Sequence, residues 1–313
     1  MFGATCSLLT RVCAAEMPYL EAFLRHHQKM GIDLVDIILQ DPQLLPAIDR
    51  MARDLDLRLI SHLVSGNGSP AAMILKAKIN KERDYVLLLD PDEFLFFPGH
   101  ANLASFLAAN ESPKSCYLRW VLSPCDFSDD DRCRGYFGHV GKHLAASKFV
   151  ARIASEHTFS LRRMPAIDPL QFERHDGLII HYWGRTFRDT LLKCLYYRGV
   201  HKSKQSSVQN VKSCQQGSSL PSRLKLLAAL NLHTRYVTTP DHLKDDIDLA
   251  LEEELLKVHL NAQDIRRVEN AYCEYKDYLA HSCGSAPMTA IHGYPGRHSI
   301  QTLAAMLPAM PSV

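Results

Sequence analysis

Tyr85-Val86-Leu87-Leu88-Leu89-Asp90-Pro91-Asp92-Glu93-Phe94-Leu95 is an apolar run that ends in three carboxylates within four residues. Five consecutive apolar residues bounded by charge read as a buried strand of a parallel sheet. In open α/β sheets, ligands bind just beyond the carboxyl ends of the strands. That places Asp90 and Asp92 at a ligand-binding edge, two residues apart. An Asp-x-Asp there suits a hard divalent cation, which takes oxygen ligands and bridges to substrate phosphates. The competing reading is a solvated acidic turn. The second apolar run, Glu93-Phe94-Leu95-Phe96-Phe97, argues against it, because acids wedged between two buried runs serve poorly as solubilising charge.

Upstream, strand and helix patterns alternate. Thr5 to Leu9 is strand-like, and Glu16 to Met30 is helical, with Leu20, Phe23, Leu24 and His27 on one face and Gly31 as its stop. Leu34 to Leu39 is a second strand, Leu45 to Leu55 a helix, and Arg58 to Leu63 a third strand. Gly66 to Pro70 is a turn, Ala71 to Glu82 a helix, and Val86 to Leu89 the strand before the acids. This order predicts an α/β fold, a mostly parallel sheet with helices on both faces. Further on, Leu103 to Ala109 is a short helix and Cys116 to Leu122 a strand containing Trp120. Asp126 to Lys142 reads as a long polar loop, and Ala146 to Arg152 and Leu178 to Tyr182 as strands. Arg188 to Arg198 is helical.

The last third has a different texture. Lys202 to Ser219 is rich in Ser, Gln and Lys and reads as a linker or mobile loop. Leu220 to Leu232, His242 to Leu260 and Asp264 to Ala280 form a helical C-terminal extension, and the tail from Gly284 reads as poorly ordered. Asp246, Asp248, Glu252, Glu253 and Glu254 give the middle helix an acidic face, expected to be solvated. The expected domains are residues 1–200, a linker at 201–219, a helical region at 220–283 and a tail at 284–313.

Bulk composition narrows the function class. The chain has 313 residues, 46% hydrophobic and 22% charged, with a net charge of +2. So small a charge gives no reason to expect nucleic-acid binding. The apolar runs fall short of the ~20 residues of a membrane helix, and the N-terminus lacks a basic leader, so a cytoplasmic protein is expected. Nine cysteines with no C-x-x-C pair are expected as free thiols, most of them buried.

Several blocks taken together resemble the glycosyltransferase family 2-like proteins of the GT-A fold, in the subgroup with an Asp-x-Asp-Glu-Phe motif. They are Glu16 to His27 with Gly31-Ile32-Asp33, Leu89 to Phe94, Trp120, Ser147-Lys148-Phe149, His157, and His181-Tyr182 with Arg185-Thr186, Lys193 and Arg198-Gly199. The resemblance covers about residues 5–200. It departs from the family at Ala15, at Gln40-Asp41-Pro42-Gln43 and at Arg185-Thr186.

The resemblance implies a metal-dependent glycosyltransferase moving a sugar, with inversion, from a nucleotide-sugar donor (a UDP-sugar) to a glycan or lipid-linked acceptor. It implies Mn²⁺ or Mg²⁺ held by Asp90, Asp92 and His181. It makes Arg11, Glu16, Asp41, Lys78, Asp90, Lys148, Arg185 and Lys193 candidates for donor contact. Glu93, Asp126 and His157 become candidates for catalysis or acceptor binding, with Glu156, Glu173 and Asp176 further candidates for the base. Ordinary roles compete at several positions: a turn Asp before Pro42, a helix-start carboxylate at Glu93, a core histidine at His181. A lipid-linked acceptor would bring peripheral association with the inner face of a membrane. Two alternatives stand beside this reading. A sugar nucleotidyltransferase is disfavoured because Arg11 to Glu16 contains no glycine. A non-catalytic nucleotide- or glycan-binding protein of the same fold fits the departures.

Overall fold

The computed structural model describes residues 5–39, 41–63, 83–97, 99–111, 115–123, 133–146, 177–182, 185–192, 235–237, 247–258 and 260–282. The expected elements at 71–82 and 220–232, the loop at 202–219 and the tail from 284 lie outside them. Contacts divide the chain into two units. The first comprises residues 1–121, 140–181 and 242–247, and the second residues 122–139, 182–241 and 248–313.

The first unit is an α/β structure built on a parallel sheet. Strands β1 (Cys6–Val12), β2 (Leu34–Leu39), β3 (Arg58–Leu63) and β4 (Tyr85–Leu88) lie in the order β3-β2-β1-β4, all parallel. Every residue of β2 is buried, as five apolar residues of six demand. The one exception in composition, Asp36, is paired on both sides. Ser7 of β1 donates its hydroxyl to one carboxylate oxygen, and His62 Nε2 of β3 donates to the other at 2.6 Å. Two partners on flanking strands offset the cost of a buried carboxylate. At the start of β1, the Thr5 amide and hydroxyl both bond Asp84 Oδ2, and the Tyr85 amide bonds the Thr5 carbonyl. These contacts set the register in which Cys6 to Leu9 pair with Tyr85 to Leu88.

Helix α1 (Met17–Lys29) follows a 3-10 turn at Ala14–Glu16. It stops where the sequence places glycine. Gly31 takes φ +84°, its amide bonds the Gln28 carbonyl, and the Ile32 amide bonds the His27 carbonyl. That pair of bonds is a Schellman cap, which needs the left-handed backbone glycine adopts without cost. Helix α2 (Leu45–Leu55) lies between β2 and β3. Helix α3 (Leu103–Ala109) opens with a capping box in which Asn102 and Ser105 satisfy each other's amides. The Leu103 amide bonds the Met30 carbonyl and ties α3 to the end of α1.

Beyond β4 the sheet changes character. Strands β5 (Glu93–Phe96), β6 (Ser115–Ser123), β7 (Cys133–Ala146) and β8 (Leu178–Tyr182) extend it in the order β4-β7-β6-β8-β5. β4 pairs with β7 and β5 with β8, both antiparallel. The expected loop at 126–142 is therefore corrected in its second half. Residues 133–146 form one long strand, although Gly135, Gly138 and Gly141 and the interspersed polar side chains give no period-two signal. Pairing across the sheet overrides that weak local preference. The strand ends at Ala146, and the rest of the expected strand at 146–152 lies outside the described residues.

Leu8, Leu9, Phe23, Leu24, Leu87, Phe94, Phe106 and Ile180 are core residues of the first unit. Cys6, Cys13, Cys116 and Cys273 are free thiols; Cys6 and Cys116 are buried, whereas Cys13 is half-buried and Cys273 exposed. Burial pushes the Cys116 thiol up to about 12 and the Cys6 thiol further still, so neither supplies a thiolate near neutrality.

In the second unit, β9 (Arg235–Val237) pairs with Cys133–Gly135 of β7. Helix α4 (Leu249–Lys257) begins later than the expected His242, because the Asp248 side chain caps the Leu251 amide. Helix α5 spans Ala262–Ser282. The expectation of a wholly solvated acidic face on α4 is corrected at Glu252. Glu252 is buried and accepts the Thr186 hydroxyl at 2.7 Å, while Glu254 is exposed and Glu253 pairs with Lys257.

Two predictions follow from the packing of the first unit. A Cβ at Gly177 would lie 2.5 Å from Leu118 Cδ2 and 2.9 Å from Phe106 Cζ, both buried. Gly177→Ala is expected to lower urea-unfolding stability by about 1–3 kcal/mol through overpacking. The second concerns His27, which is fully buried; burial chiefly, then His26, holds its pKa well below the ordinary 6.5. The unfolded chain therefore binds a proton below that value that the folded chain refuses. Stability is full above pH 6.5 and falls as pH drops beneath it, by up to about 1.4 kcal/mol per pH unit for this one group. Urea midpoints of the wild type should fall more steeply through that range than those of His27→Gln.

Candidate functional site

The acidic segment forms a tight turn. The Glu93 amide bonds the Asp90 carbonyl at 2.9 Å, which closes a four-residue turn over Pro91 and Asp92. Proline is favoured at the second position because its ring presets φ. The turn is braced from the other direction too. The Asp90 amide donates to Glu93 Oε2 at 2.8 Å. Glu93 begins strand β5, not a helix, and its side chain is wholly buried. Through this contact Glu93 braces the turn.

The sheet delivers His181 to this turn. β5 and β8 are antiparallel, with Glu93 opposite His181 and Leu95 opposite Ile179. His181 Nε2 lies 3.4 Å from Asp92 Oδ2, and both residues are almost entirely buried. Two of the three expected metal ligands are therefore brought together. Among the described residues no group of three His, Cys, Asp or Glu side chains is placed to hold a metal. One carboxylate and one imidazole fit Mn²⁺ or Mg²⁺ where a bound diphosphate and water fill the remaining positions.

Other expected site residues lie at neighbouring strand ends. Arg11 and Asp90 each lie two residues beyond the last registered pair of β1 and β4, Leu9 with Leu88. Glu16 is buried at the end of the 3-10 turn that follows β1. Asp41 follows β2, where its Oδ1 accepts the Gln43 amide at 2.9 Å and caps the turn at Pro42–Leu44. Arg11, Asp41 and the acidic turn thus sit at the carboxyl ends of three neighbouring parallel strands. Lys78, Asp126, Lys148, His157 and Lys193 lie outside the described residues, as do Glu156, Glu173 and Asp176. Trp120 is in β6.

Arg185 belongs to the second unit, where it is buried against Asp189. Its backbone amide and Nε both donate to Asp189 Oδ2, at 3.0 and 3.1 Å, and Nη2 donates to Oδ1 at 3.3 Å. Thr186 starts the helical segment at 187–192. Its hydroxyl accepts the Asp189 amide and donates to Glu252. The sequence Thr186-Phe187-Arg188-Asp189 carries the S/T-x-x-D/E signature of a helix start, a signal that favours this structural role.

Comparison with known proteins adds little. No family model matches the chain, and no curated protein matches it. Among solved structures, S. aureus TarS overlaps at 9% identity, 80% of this chain, 52% of that chain and a TM-score of 0.33. UDP-glucose pyrophosphorylase complexed with UDP-glucose overlaps at 8% identity, 62% and 99% coverage and a TM-score of 0.34. The glycosyltransferase GlyE of Streptococcus pneumoniae TIGR4 overlaps at 15% identity, 48% and 36% coverage and a TM-score of 0.29. Scores this low carry nothing about activity. No helix among the described residues is long and apolar enough to cross a membrane.

The Arg185 pair generates a prediction. Asp189→Ala strands a buried guanidinium, and its expected cost is about 3–5 kcal/mol in urea unfolding. Arg185→Met with Asp189→Leu together should recover most of that loss.

Proposed function

We propose that this chain is a metal-dependent glycosyltransferase using a nucleotide-sugar donor. The observation that carries the proposal is the approach of Asp92 and His181 to 3.4 Å at the carboxyl end of the parallel sheet. Two polar residues distant in sequence, both nearly buried, meet where α/β sheets bind ligands. Asp92 and His181 would hold Mn²⁺ or Mg²⁺, which when bound neutralises charge on a departing diphosphate. Arg11 and Asp41 would contact the base, ribose or phosphate of a UDP-sugar, a reading supported by their positions at the ends of β1 and β2. Glu93 holds the turn that presents Asp92. A carboxylate or histidine takes the proton of the acceptor hydroxyl, which attacks the anomeric carbon with inversion. Asp126 and His157 are candidates for that step by resemblance, and Lys148, Lys193 and Lys78 for phosphate contact.

The acceptor we propose is a glycan or lipid-linked sugar, with the protein acting in the cytoplasm or at the inner face of a membrane. The rival nucleotidyltransferase reading is disfavoured by the exit from β1. There the chain enters the 3-10 turn Ala14–Glu16, without the glycines that let a backbone wrap a triphosphate.

Calorimetric titration with UDP tests the proposal. Binding is expected with Mn²⁺ present and weakened at least about tenfold by chelation or by Asp92→Ala. His181→Ala should weaken it similarly. Absence of UDP binding, or binding indifferent to metal and to Asp92→Ala, would overturn the reading.

A further inference from the structure

β5 is the last strand in the sheet path, so one of its edges lacks a strand neighbour among the described strands. An edge strand leaves alternate amides and carbonyls to be satisfied by something other than a ladder. At Leu95 that something is a pair of adjacent histidines on α1. His26 Nε2 donates to the Leu95 carbonyl at 2.7 Å. The Leu95 amide donates to His27 Nε2 at 3.4 Å. His27 Nδ1 donates to the Phe23 carbonyl at 2.7 Å, which fixes the neutral tautomer and leaves Nε2 as an acceptor. One histidine supplies a donor and the next an acceptor, as a neighbouring strand would.

The consequence reaches the site. Leu95 turns both backbone groups away from β8. Leu95 with Ile179 and, two residues along, Glu93 with His181 are then the closer, non-hydrogen-bonded pairs of the ladder. Phe94 is clasped in the same contact, its ring 5.2 Å from that of His26 and 5.9 Å from that of His27. β5 is only four residues long, and Asp92 immediately precedes it. So short a strand has few ladder bonds to hold its height against β8, and a shift there moves Asp92 relative to His181.

We infer that His26 and His27 are positioning residues for the Asp92–His181 site, standing on an edge of β5 where no described strand pairs. They touch neither reacting atoms nor metal; they act through Leu95 and Phe94. Their link to nucleotide binding rests on the glycosyltransferase reading, whereas their effect on the Asp92–His181 geometry does not.

The test combines NMR and titration. In the wild type, long-range nitrogen–proton correlation should show His27 as the Nδ1–H tautomer and His26 with its proton on Nε2. The reverse assignment overturns the inference, whatever the variants do. His26→Leu and His27→Leu remove the donor and the acceptor. His26→Gln and His27→Gln keep an amide near the Nε2 position. In folded leucine variants, hydrogen exchange at the Leu95 amide should quicken at least about tenfold. The nuclear Overhauser contact between the His181 ring and the Asp92 side chain should weaken. Mn²⁺-dependent UDP affinity should drop at least about tenfold, and the glutamine variants should stay within about threefold of wild type. Ile48→Val, a core change on α2, serves as a control for general destabilisation and should leave all three readouts in place. Leucine variants with wild-type exchange and Overhauser contact overturn the inference. So do glutamine variants that lose as much as the leucine ones. If the wild type fails to bind UDP, the glycosyltransferase reading falls alone, and the exchange and Overhauser readouts still decide the positioning role.

Discussion

The bonds from the Leu95 backbone to His26 and His27 hold together two parts of the first unit that the chain builds separately. One is the parallel sheet with α1 on its first crossover. The other is the short antiparallel pair β5–β8, which carries Asp92 and His181. A backbone amide and carbonyl buried without partners would cost more than most side-chain contacts contribute, so the junction tolerates few other arrangements. The same constraint explains why two histidines sit deep in a helix face. They are there for their ring nitrogens, and the rings also fill space against Phe23 and Phe94.

Buried polar groups recur at each point where elements must be registered. Asp36 lies inside an otherwise apolar strand and is met by Ser7 on one neighbour and His62 on the other. Arg185 and Asp189 satisfy each other within one helical turn of the second unit, and Glu252 receives Thr186 across to α4. A buried carboxylate with a fixed donor tolerates less sliding than an apolar contact, because a shifted register leaves it unpaired at full desolvation cost. Glu252 shows how such a residue escapes a reading of charge patterns. Its neighbours Asp248, Glu253 and Glu254 are ordinary surface acids, and nothing local marks it as different.

The parallel half of the fold was open to sequence reasoning because its determinants are local. Each β-α-β step declares itself through a change of hydrophobic period, and Gly31 marks a helix end that needs positive φ. The antiparallel half was less open. β7 contains glycines and polar residues that look like a loop, and it becomes a strand through partners distant in the chain. For the site, the motif identified the turn and its strand end. It did not show that one oxygen of Glu93 bonds its own turn, at the Asp90 amide, which the structure does.

The sequence alone determined the α/β alternation, the strand that precedes Asp90 and the cap at Gly31, because periodicity and turn chemistry act over a few residues. The resemblance also grouped Asp90, Asp92 and His181 as one expected metal set. Only the tertiary structure decided that Asp92 and His181 approach to 3.4 Å, that Arg185 pairs with Asp189, and that His26 and His27 bond the Leu95 backbone of β5. The physical reason is the same in each case. A polar side chain is neutral information in a sequence, since water or any complementary group would satisfy it. Burial removes the water, and only the folded chain selects which group takes its place.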